Sequence, residues 1–120
     1  MATMDDLDYS IFPKGMIIFE QGDAPDFAYL IKSGEVKIIT SAGGDDERII
    51  DVLSVGDFFG EMALVDKVPR SATAVARKDL ICAVLSQEHF EAKLASADFF
   101  TEGLIRLLSK RLRKMTQGDP

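Results

Sequence analysis

Glycine-containing turns divide the first two thirds of the chain into short segments, and this punctuation is the feature that most restricts its fold. Runs of apolar, β-branched and aromatic residues are separated by turn signals at Gly15, Gly22, Gly34 and Gly56. Glycine adopts positive φ at little steric cost, so a glycine that recurs between such runs predicts turns between strands. Short strands at a spacing of about 8–12 residues are typical of all-β sandwiches and barrels. Within this pattern, Ser33 and Gly34 predict a tight hairpin.

The chain changes character after residue 85. Ser86 is a favourable N-cap for a helix over residues 87–97, and Asp98 is one for a second helix that runs through Met115. Four apolar residues of this second helix recur at steps of three, four and three and form one stripe: Ile105, Leu108, Leu112 and Met115. Because a lone helix with such a stripe needs a partner, we expect it to pack against the barrel, a second copy of the chain or a further domain.

Residues 58–64 and 69–73 predict a pocket for a small anionic ligand that carries a hydroxyl group. They consist of Phe-Phe-Gly-Glu-Met-Ala-Leu and Pro-Arg-Ser-Ala-Thr. Gly60 allows a close backbone approach, and one helical turn beginning there leaves amide N–H groups free to bind a phosphate. Arg70 supplies the full positive charge, because its planar fork matches two phosphate oxygens. Glu61 cannot bind a phosphate, but it suits an adjacent sugar hydroxyl. The alternative is an ordinary strand–turn–strand with a surface arginine and glutamate.

This order of residues, with Arg70 nine positions after Glu61, resembles the phosphate-binding cassette of cyclic-nucleotide-binding domains. The resemblance extends to Pro-Lys-Gly, Gln-Gly-Asp, Asp-x-x-Tyr-Leu-Ile and Ser-Gly-Glu-Val, which begin at positions 13, 21, 26 and 33. It implies a mainly β fold with C-terminal α structure: a β jelly-roll barrel of about eight short strands, a short pocket helix and C-terminal helices. The expected organisation is a frayed N-terminus at 1–8, the barrel at 9–85 with the cassette at 58–73, and lid or relay helices at 86–117.

The same resemblance implies a small-molecule ligand, cyclic AMP or cyclic GMP, and no cofactor. Arg70 would pair with the cyclic phosphate, and Glu61 would hold the ribose 2′-hydroxyl. The expected ligand-binding residues are Phe59, Gly60, Glu61, Met62, Ala63, Arg70, Ser71 and Thr73. In the family, threonine directly after the cassette arginine often accompanies a preference for cyclic GMP, and alanine is common in cyclic AMP kinase sites. Ser71 is intermediate, and we favour cyclic AMP.

The implied mechanism is a relay to the C-terminal helices. Ligand would draw the pocket helix inward, and the C-terminal helices would re-pack as a lid over the base. For this movement to signal, the ligand must bind the two helix arrangements with different affinity. The stripe from Ile105 to Met115 is then the surface on which a homodimer or a partner protein is expected.

Charge and composition exclude several classes of partner. The net charge is −6, and residues 101–120 hold five basic residues against two acidic ones, which leaves the other hundred residues with a net charge of −9. An acidic body of this kind argues against nucleic-acid binding. No run approaches the roughly 18 consecutive apolar residues of a membrane helix, and a signal-peptide pattern is missing.

The single cysteine, Cys82, lies in an apolar run and suits a buried core position in a reducing, cytoplasmic protein.

Enzymatic chemistry finds little support in the sequence. The single histidine, His89, cannot form the His and carboxylate cluster of a metal-dependent barrel enzyme or a hydrolytic triad. A dinucleotide fingerprint and a Walker phosphate loop are also missing. We therefore expect a binding module, not an enzyme. Two alternatives remain, namely a barrel that binds no nucleotide and serves as an interaction module, and the detached ligand domain of a transcription regulator or channel. In the second case we expect the output domain to lie outside these 120 residues.

Overall fold

The structure, a computed structural model, describes residues 8–64 and 68–117, without the side chains of residues 62, 63, 112, 113 and 115–117. Its elements are β1 (Asp8–Phe12), β2 (Ile17–Phe19), β3 (Phe27–Ser33), β4 (Val36–Thr40), β5 (Arg48–Leu53), β6 (Phe58–Phe59), a 3₁₀ helix (Glu61–Leu64), β7 (Thr73–Ala76), β8 (Leu80–Ser86), α1 (Gln87–Ala95) and α2 (Phe99–Gln117). The predicted mainly β fold of about eight strands, with a short pocket helix and C-terminal helices, is confirmed.

The eight strands form two four-stranded antiparallel sheets. Their orders are β1-β8-β3-β6 and β2-β7-β4-β5, so most successive strands lie in opposite sheets, as in a jelly roll. The prediction of a hairpin at Ser33 and Gly34 was wrong, because β3 and β4 belong to different sheets. The chain turns there from one sheet to the other. Gly34 has a φ of +99°, and a Cβ on it would lie 2.2 Å from the carbonyl oxygen of Asp79, so this crossing requires glycine.

The core lies between the two sheets and takes side chains from both. Ile31 of β3, Val36 of β4 and Leu80 of β8 are fully buried, and burial of each such side chain stabilises the fold by about 1.5–3 kcal/mol. Cys82 is also fully buried, and this burial raises the pKa of its thiol to about 11. The interpretation of Cys82 as a small core residue is therefore confirmed.

Both C-terminal helices begin at the predicted caps. The Ser86 hydroxyl accepts a hydrogen bond from the His89 N–H at 3.0 Å, and the Asp98 carboxylate accepts one from the Thr101 N–H at 2.7 Å. The hydrogen bonds from Thr101 hold the pKa of Asp98 below its ordinary value. Helix α1 ends at Ala95, two residues earlier than predicted; it packs against β8 and the 3₁₀ helix, and its buried residue is Leu94.

Helix α2 packs against α1 and leaves much of its apolar surface exposed. Its N-terminal half exposes Leu104, Leu107 and Leu108, whereas Ile105 is half-buried. The side chains of Leu112 and Met115, the other two members of the predicted stripe, lie outside the described residues. No described helix has both the length and the hydropathy needed to cross a membrane.

Candidate functional site

A cavity of about 360 Å³ lies where the terminal strands of the two sheets, β5 and β6, approach the loop before β7. This volume is within the range of small-molecule sites, about 300–1,000 Å³. Its lining residues are Phe19, Pro25, Ile38, Ile50, Asp51, Leu53, Phe58, Phe59, Gly60, Glu61, Val68, Pro69, Arg70, Ser71 and Ala72. The two halves of the predicted pocket segment therefore face one another across a single cavity.

Gly60 is the point of closest packing in this wall. It follows β6 with a φ of +69°, and a Cβ on it would lie 2.8 Å from Nη1 of Arg70 and 3.2 Å from the carbonyl oxygen of Phe27. The positive φ and the close packing against Arg70 both favour glycine at this position, whether or not a ligand is bound. The predicted helical turn after Gly60 is present as the 3₁₀ helix Glu61–Leu64.

Arg70 is held in place by main-chain acceptors and an aromatic ring. Only 8% of its surface is exposed. Its Nη1 donates a hydrogen bond to the carbonyl oxygen of Gly60 at 3.1 Å, and its Nη2 donates one to that of Phe27 at 2.6 Å. The guanidinium carbon lies 4.1 Å from the centroid of the Phe19 ring, which is cation–π geometry. The side chain is therefore already oriented within the protein.

The charge of Arg70 has no ion-pair partner among the described residues. Burial lowers the pKa of its guanidinium, while Tyr29, Asp26, Asp23 and Glu61 act in the opposite direction. No carboxylate of a described residue forms an ion pair with Arg70, and its buried Nε makes no hydrogen bond to any of them. A buried cation without a counter-ion is costly. This end of the cavity therefore favours an anionic ligand.

The backbone at Arg70, in the loop before β7, is hydrogen-bonded to the turn between β2 and β3. The Arg70 N–H donates to the carbonyl oxygen of Asp23 at 2.9 Å, and the Gly22 N–H donates to the carbonyl oxygen of Arg70 at 2.8 Å. The hydroxyl of Thr73 accepts a hydrogen bond from the Gln21 N–H at 3.0 Å. The Gln-Gly-Asp turn thus fixes the position from which Arg70 enters the cavity.

Most of the predicted ligand-binding residues lie together. Phe59, Gly60, Glu61, Arg70 and Ser71 line the cavity, Glu61 half-buried and Ser71 exposed. The backbones of Met62 and Ala63 form part of the 3₁₀ helix, and their side chains lie outside the described residues. The buried hydroxyl of Thr73 is engaged by Gln21 and is not among the described groups that line the cavity. A direct ligand contact for Thr73 stays a prediction.

Several cavity residues were not anticipated from the sequence. Phe19 and the carbonyl of Phe27 hold the arginine, and apolar residues from outside the predicted pocket segments line the wall of the cavity: Ile38, Ile50, Leu53 and Val68. A main-chain acceptor such as the Phe27 carbonyl carries no sequence signal at all. Asp51 also lines the cavity and does carry a sequence signal, because it is the single carboxylate in the otherwise apolar stretch 49–53.

Comparison with known proteins identifies the relatives of this chain. The family model "Cyclic nucleotide-binding domain" matches residues 10–97. The cyclic AMP receptor protein of Thermus thermophilus is 38% identical over 104 residues, which cover 87% of this chain and 48% of that protein. The cGMP-dependent protein kinase of Toxoplasma gondii is 36% identical over 111 residues, which cover 90% of this chain and 11% of the kinase.

A solved structure shares the arrangement of strands and helices. The half-site-occupied form of the EAL enzyme Bd1971 superposes with a TM-score of 0.83 at 35% identity, covering 92% of this chain and 98% of that one. The same enzyme has been solved in cAMP-bound and cGMP-bound forms, of which this chain covers 29% and 30%. The chain thus spans about half the length of the Thermus regulator and a smaller part of the kinase.

Proposed function

The chain belongs to the cyclic nucleotide-binding domain family, and from this membership we propose that it binds a 3′,5′-cyclic nucleotide in the cavity beside Arg70. The observation that carries the proposal is Arg70 itself. Arg70 lines the cavity and is buried, and among the described residues its Nε has no hydrogen-bond partner and no carboxylate forms an ion pair with it. A cyclic phosphate supplies the missing negative charge and accepts charge-assisted hydrogen bonds.

Each part of the ligand has a group suited to it. Because Nη1 and Nη2 of Arg70 each already donate one hydrogen bond to a carbonyl, the remaining Nη hydrogens are the donors available to the phosphate. Main-chain amides at Gly60, Met62, Ala63 and Ser71 complete the phosphate shell. Glu61, which is half-buried at the start of the 3₁₀ helix, accepts a hydrogen bond from the ribose 2′-hydroxyl. The apolar wall contacts the base.

We favour cyclic AMP over cyclic GMP. The names of the relatives include both a cyclic AMP receptor and a cyclic GMP-dependent kinase, so family membership alone leaves the base open. Ser71 lines the cavity directly after Arg70 and, unlike threonine, adds no methyl group there. The preference therefore rests on the serine.

Binding is relayed, in this proposal, from the 3₁₀ helix to α1 and α2. Leu64, at the end of the 3₁₀ helix, lines a groove of about 170 Å³ with Phe90 and Leu94 of α1 and Arg106 of α2. A ligand that shifts residues 61–64 would change this packing, and the exposed face of α2 would pass the change to a second copy or a partner protein. The barrel at 9–85 acts as receptor and the helices at 86–117 as lid and relay. For the relay to operate, the ligand must bind one helix arrangement more tightly than the other.

This role is that of a cytoplasmic regulatory binding module, not of a catalyst. The matched relatives are a transcription regulator and kinases, of which the chain covers at most about half. Any transcriptional, kinase or other output of a larger protein is a separate activity that such a module would control.

Calorimetric titration tests the proposal. The chain is unfolded and refolded to remove carried-over nucleotide, and it is then titrated with cyclic AMP, cyclic GMP and, as a control, 5′-AMP, which carries an open phosphate. We expect micromolar or tighter binding of the cyclic nucleotides, with cyclic AMP the tighter of the two, and much weaker binding of 5′-AMP. Absence of heat and of thermal stabilisation with both cyclic nucleotides would contradict the proposal and favour an interaction module.

A further inference from the structure

A second concave surface of the barrel lies at the end of β7 that is opposite to Arg70, and basic residues line it. It is a groove of about 400 Å³, and its lining residues include four cations: Lys14, Lys37, Arg77 and Lys78. The other lining residues are Gly15, Val75 and Ala76, so no carboxylate is among the described groups that line it. The groove shares no lining residue with the cavity beside Arg70, and the proposed function does not account for it.

The sheet β2-β7-β4-β5 places two of these cations on opposite sides of β7. Lys37 of β4 pairs directly with Val75 of β7, and paired residues share a face. On the other side, the Gly15 N–H donates to the carbonyl oxygen of Ala76 at 2.8 Å, which holds the turn of Lys14 beside the end of β7. Neighbouring strands lie about 4.8 Å apart, so the two lysine backbones are roughly 10 Å apart. Their long, flexible stems can bring both ammonium groups over Val75.

The turn after β7 supplies the other two cations, and Glu35 fixes its position. The N–H groups of Arg77 and Lys78 donate to the Glu35 carbonyl oxygen at 2.8 and 3.3 Å. The Glu35 carboxylate also pairs with the guanidinium of Arg77 and, at 3.2 Å, with the ammonium group of Lys78. Hydrogen bonds from Lys78 and Arg77 hold the pKa of Glu35 below its ordinary value. One ionised carboxylate is therefore shared between two cations.

The carboxylates of described residues that contact this surface do not balance its charge. Lys14 and Lys37 form no ion pair with a described carboxylate, although the Lys14 N–H donates to the Asp79 carboxylate at 2.8 Å. Four cations thus stand against two carboxylates, those of Glu35 and Asp79. Residues 1–100 have a net charge of −9 and contain nine of the 14 basic residues, and four of these nine line the groove. A positive concave surface in so acidic a body concentrates anions locally.

The shape of the groove suits a compact anion better than an extended one. Its volume is within the range of small-molecule sites, about 300–1,000 Å³. Its floor consists of small residues, and a Cβ on Gly15 would meet no atom within 4 Å, so the space between the cations is open. A nucleic-acid backbone would extend beyond the four cations over a body of net negative charge, which repels it. A short phosphate chain carries its charges within the length that the cations surround.

We propose that this groove is a second anion site, which binds a compact di- or triphosphate group of inorganic polyphosphate or of a nucleoside polyphosphate. Lys14 and Lys37 contact the phosphate chain from the two sides of β7, and Arg77 and Lys78 contact its end. Lysine binds phosphate as a point charge, so the site requires no fixed fork geometry. The inference does not rest on the proposed function, because the two sites have no lining residue in common.

Solvated surface charges make a different prediction. If each lysine only keeps the barrel soluble, the chain should attract anions weakly and according to its net charge. Loss of any exposed lysine would then have the same effect, wherever that lysine lies. Anions with one and with several phosphate groups would bind without saturation at defined residues.

Titration with tripolyphosphate at low ionic strength, followed by NMR of the backbone amides, locates the site on the 120-residue chain. We expect saturable shifts of the amide signals of Gly15, Val75 and Ala76, with little change at Gly60. Orthophosphate carries fewer charges and should bind much more weakly. Absence of saturable binding, or shifts concentrated at Gly60 and Ser71 in the other cavity, would overturn the proposal.

Matched lysine variants show whether position or net charge decides the affinity. Lys14→Gln and Lys37→Gln each remove one charge from the groove, and Lys93→Gln removes one from the exposed surface of α1, outside the groove. As for exposed ion pairs, we expect each groove variant to weaken tripolyphosphate binding about fivefold, and Lys93→Gln to change it by less than about twofold. Equal effects of the three variants would overturn the proposal in favour of solvated charges.

Two further ligands identify the source of the phosphate chain. ATP without added metal that shifts the same amides and binds as tightly as tripolyphosphate would support recognition of the phosphate chain, and tighter binding would add a contact with the nucleoside. ATP that fails to shift them would support inorganic polyphosphate as the ligand. A single-stranded oligonucleotide that binds there more tightly than both would overturn the compact anion and indicate a nucleic-acid backbone.

Discussion

The cavity around Arg70 and helix α2 differ in how their side chains are supported. Arg70 is 8% exposed and makes two hydrogen bonds to main-chain carbonyls and one contact with an aromatic ring. Leu108 of α2 is 56% exposed, and α2 packs mainly on α1. The cavity is therefore organised before any ligand binds, which reduces the entropic cost of binding. The position of α2 depends on little buried surface, so a modest free energy is enough to change it.

The largest expected effect is that of Arg70→Ala. Truncation removes the buried positive charge and should weaken cyclic nucleotide binding by about 2–5 kcal/mol. Titration against the refolded wild type measures the loss. Arg77→Ala is the matched control, because Arg77 is an arginine of the same barrel that pairs with Glu35 at the surface. Wild-type affinity in Arg70→Ala would show that the organised end of the cavity is not the phosphate site.

Gly60→Ala tests whether the close packing against Arg70 matters beyond backbone strain. Alanine in the left-handed region costs roughly 1–2 kcal/mol, and here its Cβ must also displace Nη1 of Arg70, at a separation of 2.8 Å. We expect both a lower free energy of unfolding and weaker binding. Gly56→Ala carries a similar strain, with a φ of +91° and open space around the Cβ, so it should lower stability and leave binding unchanged. Equal binding by the two variants would contradict this account.

Phe19→Leu removes the aromatic ring under the guanidinium but keeps an apolar side chain. The loss of the cation–π contact should weaken binding by about 1 kcal/mol, because the arginine is less firmly oriented. Phe12→Leu is the control, since Phe12 packs edge-on against Tyr29 in the same aromatic cluster without contacting Arg70 in this way. If the two variants bind equally, the ring contributes to the core and not to the orientation of the arginine.

The smallest expected effect is that of Leu108→Ala on α2. Its exposure predicts a change in the free energy of unfolding within about 0.5 kcal/mol for the isolated chain. Leu94→Ala of α1, only 3% exposed, should cost about 2–5 kcal/mol. Chemical denaturation at several protein concentrations measures both. A large effect of Leu108→Ala that grows with concentration would show that a second copy covers this face.

The local sequence was enough to predict the turns, the helix caps and part of the ligand cavity. The turn glycines, the helix caps at Ser86 and Asp98 and the burial of Cys82 were predictable, because each depends on a residue's own backbone preference, its neighbours within three positions or its hydropathy. The pairing of Gly60 and Glu61 with Arg70 in one cavity was also predictable, because the two halves of the cassette are close in the chain and match a known pattern.

Only the tertiary structure decided the rest. The residues around Ser33 and Gly34 favour a turn, but whether a turn joins two paired strands or crosses between sheets depends on which strands pair, and this is a property of the whole barrel. The groups that contact the Arg70 guanidinium likewise come from distant positions in the chain: the ring of Phe19 and the carbonyl of Phe27. Main-chain acceptors are the same for every residue type, so their role appears only when folding places them beside a donor.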